Sequence, residues 1–213
     1  MNGHYDCIGE SGLRFFGKVS ASISHELKNV LAIINENAGL LEDLAFAAER
    51  GAAIDPARLN RACQNFFKQI HRADDILKNM NRFAHSVDQF EAQVNLVDLA
   101  GLVASLAGRL AAMRKLIIEV VPASQPVMIT TNPFLLENLL WLFLEMAISS
   151  ASEAGTVSLI PELLEKGCQL RITGLTPLGE DCAAKMPPAE ILMALGAQLD
   201  AKAGATELIL RLS

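Results

Sequence analysis

The chain has 213 residues, a formal net charge of −6 and a hydrophobic share of 51%. That length suits one large domain or two small ones, and that apolar content excludes a disordered chain. The acidity, with no basic cluster interleaved with aromatics, excludes nucleic acid as the main partner. The most apolar window, 134–148, is interrupted by Glu137, Asn138 and Glu145, so no membrane span is expected.

The first predicted helix runs from about Ser11 to Glu49. Phe16, Ile23, Leu27, Val30, Ile34, Leu41 and Leu44 recur at steps of three and four on one stripe. GAAIDP interrupts the pattern, with Asp55 as N-cap and Pro56 as first residue of the second helix. That helix extends to about Gln89 through Leu59, Cys63, Phe66, Ile70, Ala73, Leu77, Met80, Ala84 and Val87. Two such helices joined by a short loop form an antiparallel hairpin. One hairpin buries its stripes poorly alone, so a homodimer built on a four-helix bundle is expected.

Beyond about residue 92 the pattern changes. Asn95–Met113 reads as a third helix, LIIEVVP and PVMITT as short strands, and Pro133–Ser152 as a fourth helix. TVSLIPEL and CQLRITGL read as a strand pair. PPAEILMALGAQLDAKAG reads as a last helix ending at Gly204, and ATELILRLS as a closing strand. The expected class is α+β: a hairpin domain over 1–92, then a small mixed sheet with helices on one face over 93–213. Cys7, Cys63, Cys168 and Cys182 lack metal-ligand spacing and read as reduced thiols. The first residues lack the layout of a signal peptide, so a cytoplasmic location is expected.

One polar stretch on the first helix carries chemistry. SISHELKN places Ser22, His25, Glu26, Leu27, Lys28 and Asn29 in the order of the H-box of bacterial sensor histidine kinases, with Val30 where a proline is usual. A hairpin with this motif followed by an α+β domain resembles that family over most of the chain. His25 falls two residues after Ile23, pointing away from the seam. Near neutral pH an ordinary imidazole has a neutral fraction able to accept a phosphoryl group. The resemblance makes His25 the phosphoacceptor and Glu26 the carboxylate that fixes its tautomer. Asn29, four residues on, shares its face; the resemblance implies that it positions water against a phospho-aspartate and that Lys28 meets the partner's acidic pocket or phosphate. Receiver domains are expected to dock on the hairpin, with apolar contact near Phe15, Phe16 and Val19. His71 and His85, beside the second stripe, read as surface residues.

The second half departs from the family. A kinase needs an asparagine carbonyl for Mg²⁺, an aspartate for adenine, and glycines where the backbone approaches phosphates. Aligned on Ala147, Leu142 and Met146 stand where the two asparagines belong. Gly174 stands at the aspartate and Thr176 at the first glycine after it, and only Gly196 remains of the later glycine box. The resemblance therefore narrows to the dimeric histidine phosphotransferases of phosphorelays, which relay a phosphoryl group between receiver aspartates without binding ATP. The implied partners are response-regulator receivers and a hybrid histidine kinase. No cofactor is expected in this chain, Mg²⁺ coming with the receiver. The alternatives are a silent kinase-like scaffold, a divergent active sensor kinase, and a receiver phosphatase using Glu26 and Asn29.

Overall fold

The computed structural model describes residues 3–180 and 186–213, with side chains described from Gly9 onward. Cys7 and Cys182, among the four thiols considered above, lie outside the described side chains. The long helices are α1 (Gly3–Glu49) and α2 (Pro56–His85). There follow β1 (Ala92–Asn95), α3 (Leu96–Leu106), α4 (Gly108–Met113), β2 (Ile117–Val120) and β3 (Met128–Thr131). Then come α5 (Pro133–Ser150), β4 (Thr156–Leu163), β5 (Cys168–Thr173), α6 (Ala189–Ala194), β6 (Ala197–Asp200) and β7 (Leu208–Leu212). The class is α+β, with a helical hairpin ahead of a mixed sheet, as expected.

Local chemistry sets the hairpin turn. Gly51 ends α1 at φ +86, a left-handed conformation that costs glycine little, and its N–H donates to the Ala48 carbonyl at 2.9 Å. Asp55 caps α2 by accepting from the Ala57 N–H at 2.9 Å, and Pro56 follows as the first helical residue.

By contacts the chain forms two compact units: Ser20–Arg82, and Met1–Val19 together with Phe83–Ser213. The division falls inside both long helices rather than at residue 92. In the Ser20–Arg82 unit, Ile23, Val30 and Leu44 of α1 and Ala62 and Gln69 of α2 are buried. On α2 the anticipated single stripe splits in two. Leu59, Phe66 and Ala73 are half-buried beside Ala62, Gln69 and Ile76, which face the same way. Cys63, Phe67, Ile70, Leu77 and Met80 are exposed. The apolar surface of α2 is thus wider than one helix–helix seam, and the chain itself covers about half of it.

The other unit is built on a five-stranded sheet of order β2-β4-β5-β7-β6, parallel only between β2 and β4. Alternate residues Val157, Leu159, Cys168, Leu170, Ile172, Leu208, Leu210 and Leu212 are buried, the period of a sheet with one covered face. Helix α5 supplies the core: Phe134–Leu140, Trp141, Phe143, Leu144 and Met146–Ile148 are all buried. It is long and apolar enough to cross a membrane, yet most of it lies inside the fold. Asn132 caps it, accepting from the Leu135 N–H at 2.9 Å, with Pro133 at its first position. Pro161 stands in β4 beyond Leu159, past the stretch that β2 pairs, so its missing N–H removes no bond to β2.

Two expectations are corrected. The anticipated last helix through Gly204 is instead the six-residue α6, a turn at Gly196 with φ +58, and strand β6 paired with β7. The left-handed Gly196 ends α6 and reverses the chain, and the four residues beyond it cover the otherwise open edge of β7. Residues 92–95, not anticipated as a strand, pair with β3 in a separate two-stranded sheet. Asn95 ends that strand and caps α3, its Oδ1 accepting from the Val97 N–H at 3.1 Å and the Val127 N–H at 3.3 Å.

Burial separates two thiols. Desolvation pushes the buried Cys168 up to about 11, whereas Cys63 is exposed. The thiolate is the reactive form, and a raised pKa leaves less of it at any given pH. At mildly alkaline pH a maleimide should therefore alkylate Cys63 well before Cys168. Peptide-resolved mass spectrometry reads this, with Cys168 reacting only once denaturant is added.

Candidate functional site

His25 stands exposed on α1 in the Ser20–Arg82 unit. The Asn29 amide nitrogen lies 3.2 Å from its Nδ1, one helical turn on. In this orientation the amide donates and Nδ1 accepts. Turned over about Cβ–Cγ, the amide oxygen would accept an Nδ1 proton and leave the Nε2 lone pair free. Only in that second orientation is Nε2 the nitrogen left for attack; in the first, a neutral ring carries its proton on Nε2.

Glu26 does not hold that position here. Its carboxylate faces the second helix, 3.5 Å from Nη2 of Arg72. Neighbouring helical residues are about 100° apart, so the residue after His25 points to another face while the fourth shares it. The contact expected of Glu26 at the imidazole is made by Asn29. Lys28 is exposed. Arg72 was not singled out from sequence. Its only signal is a basic residue on the second helix level with the H-box, legible once the hairpin register is known.

The anticipated docking residues divide. Phe16 is 49% exposed and stacks on Phe83 at 5.7 Å. Phe15 and Val19 are interior, at 2% and 0%, and so are withdrawn from the docking surface. Phe15 sits edge-on to Phe83 at 5.2 Å and 5.7 Å from both Phe134 and Trp141. All three anticipated residues belong to the unit that contains the sheet, whereas His25, Glu26, Lys28 and Asn29 belong to the other.

In the sheet-bearing unit, side chains aligned with a nucleotide site are engaged within the fold, around a cavity. Met146 is buried in the core and Leu142 half-buried. Glu145 accepts from Lys18 Nζ at 2.6 and 2.8 Å through its two oxygens. Asn138 is fully buried and donates from Nδ2 to Ser11 Oγ at 3.2 Å. A cavity of about 420 Å³ remains here, lined by Phe15, Lys18, Asn138, Trp141 and Leu142 among others. Gly174 has φ +86, and a Cβ there would lie 2.0 Å from the Thr156 carbonyl oxygen. No side chain fits at that position, an adenine-binding aspartate included. Among the described residues no group of three or more His, Cys, Asp or Glu is arranged to hold a metal ion. His71 and His85 are exposed, and His85 Nδ1 pairs with Asp88 Oδ2 at 2.7 Å.

No protein-family model matches the chain, nor does any curated protein. Among solved structures it is similar to a bacterial phosphotransferase, with a TM-score of 0.50 and 14% identity over 94% of this chain and 96% of that one. It is also similar to the Acinetobacter baumannii histidine kinase AdeS (TM-score 0.48, 15% identity, 89% of this chain and 97% of that one). The catalytic domain of histidine kinase ThkA gives 0.48 and 13%, over 58% of this chain and 96% of that one. At these identities the likeness is one of fold: a helical hairpin followed by a histidine-kinase ATPase-like sheet domain.

The aromatic cluster can be told from a docking surface by stability. Phe15→Ala should cost about 3–5 kcal/mol, as large core aromatics do. Phe16→Ala should cost only about 1 kcal/mol, the worth of its stacking on Phe83. Urea unfolding of the two variants beside wild type checks the contrast.

Proposed function

We propose that this chain is a histidine phosphotransferase of two-component signalling, relaying a phosphoryl group between receiver-domain aspartates through His25 without using ATP. The observation that carries this reading is an exposed imidazole whose Nδ1 is engaged by Asn29, in a fold of histidine-kinase type. The Nε2 lone pair attacks phosphorus, the N–P bond forms, and the P–O bond to the receiver's aspartate breaks. The aspartate leaves as a carboxylate, and the Nδ1 proton passes to solvent. Transfer to the second receiver runs the same exchange in reverse. Lys28 meets the acidic pocket of the docked receiver, and Mg²⁺ arrives with that receiver.

The ATP-independent part is supported by two separate features. Buried Met146 stands where a metal-binding amide is needed, and Gly174 admits no side chain where the adenine anchor is needed. The experiment is a relay: a receiver carrying radiolabelled phospho-aspartate, the chain, then a second receiver. Label should reach the second receiver through wild type and fail with His25→Ala. Labelled ATP and Mg²⁺ alone should label neither form; acid-labile label on wild type alone would make the chain a kinase.

The reading includes a homodimer, supported by the exposed row Cys63, Phe67, Ile70, Leu77 and Met80 on α2. Cys63, Ile70 and Leu77 follow one another at heptad spacing, the period of a helix–helix seam. Wild type should therefore show twice the chain mass by light scattering. Ile70→Glu with Leu77→Glu should halve it while helical circular dichroism persists. A monomeric wild type at micromolar concentration would sink the dimer.

A further inference from the structure

Resting on the reading of His25 as phosphoryl carrier, we infer that Arg72 is the positioning residue for charge at that site: its guanidinium pairs with Glu26 in the free protein and turns to the phosphoryl group during transfer. A phosphoryl group on an imidazole brings nearly two negative charges and three acceptor oxygens. It would arrive beside the Glu26 carboxylate, the next residue along the chain, and like charges at such range repel. Within the Ser20–Arg82 unit the guanidinium paired with Glu26 belongs to Arg72, from the opposite helix.

The geometry fits an exchangeable partner rather than a fixed brace. The Arg72–Glu26 distance is 3.5 Å, longer than a direct charge-assisted hydrogen bond, and the Arg72 side chain is 48% exposed. Glu26 is 22% exposed, so the carboxylate stays partly sheltered while the guanidinium can be reached from solvent. Arginine suits the exchange because its planar donor fork matches carboxylate and phosphate alike. Asn29, 3.2 Å from Nδ1, completes the arrangement: with its amide oxygen turned to the ring it accepts from Nδ1–H and leaves the Nε2 lone pair for the incoming group.

The test uses phosphoramidate as donor: the N–P bond to His25 forms, the donor's P–N bond breaks, and ammonia leaves. Phosphohistidine is followed by ³¹P NMR in wild type, Arg72→Gln and Arg72→Lys, with His25→Ala as the blank. Arg72→Gln should slow labelling about tenfold, the size of one lost hydrogen bond to a charged group. Arg72→Lys, which keeps the charge but not the fork, should recover only part of that rate. Melting curves should coincide, because a half-exposed ion pair contributes little to stability. Labelling of Arg72→Gln at the wild-type rate overturns the inference. So does a slowed Gln variant whose melting temperature falls with its rate, since the role would then be structural. Absence of label on wild-type His25 overturns instead the reading of His25 on which the inference rests.

Discussion

The structure depends on one aromatic contact set. Phe15 of α1 and Phe83 of α2 meet Phe134 and Trp141 of α5, with ring centroids 5.2–6.2 Å apart. Aromatic side chains bury the largest areas per residue, so this cluster outweighs any surface pair near it. It draws one end of each long helix into the core that the sheet and α5 share. Each helix consequently serves two cores along its length, which is why the compact units divide within the helices. The Lys18–Glu145 pair and the Ser11–Asn138 hydrogen bond follow the same packing and tie α1 to α5 beside the cavity that Ser11, Lys18 and Asn138 line.

Much of the fold was legible in the sequence because its signals are local. Asp55-Pro56 announced the start of α2, and Asn132-Pro133 sits at the start of α5 for the same reason: a side-chain acceptor followed by a residue with no N–H to lose. The β-branched runs between prolines marked the main strands. What escaped depends on partners distant in sequence. AEILMALGAQLD has helical composition throughout, yet β7 claims its second half as strand β6. The four residues of β1 are too few to show a period. On α2 the heptad pattern found apolar residues but not which of them face α1, since a helix with a broad apolar face gives the same period for either half.

The site was legible to the same extent. His25 and Asn29 are one turn apart on one helix, so their meeting follows from spacing alone. That Glu26 turns to another face follows from spacing too, but its partner there does not: the level of Arg72 on α2 is set by the loop and the packing of the hairpin. Phe15 and Val19 illustrate the opposite error. Apolar residues just before the H-box suit a docking surface and a core equally well, and only the presence of α5 decides between them.

Gly174 bears on the history open to this chain. At φ +86, with the Thr156 carbonyl where a Cβ would stand, the backbone and not merely the side chain excludes an acidic residue. A single codon change to aspartate would collide with the neighbouring strand before it could meet any ligand. Placing a side chain there needs the β4–β5 ladder to shift first, and that ladder carries Val157, Leu159, Leu170 and Ile172 of the core. The sheet thereby works as a ratchet: its own packing keeps the position empty, independently of any selection on the site it borders.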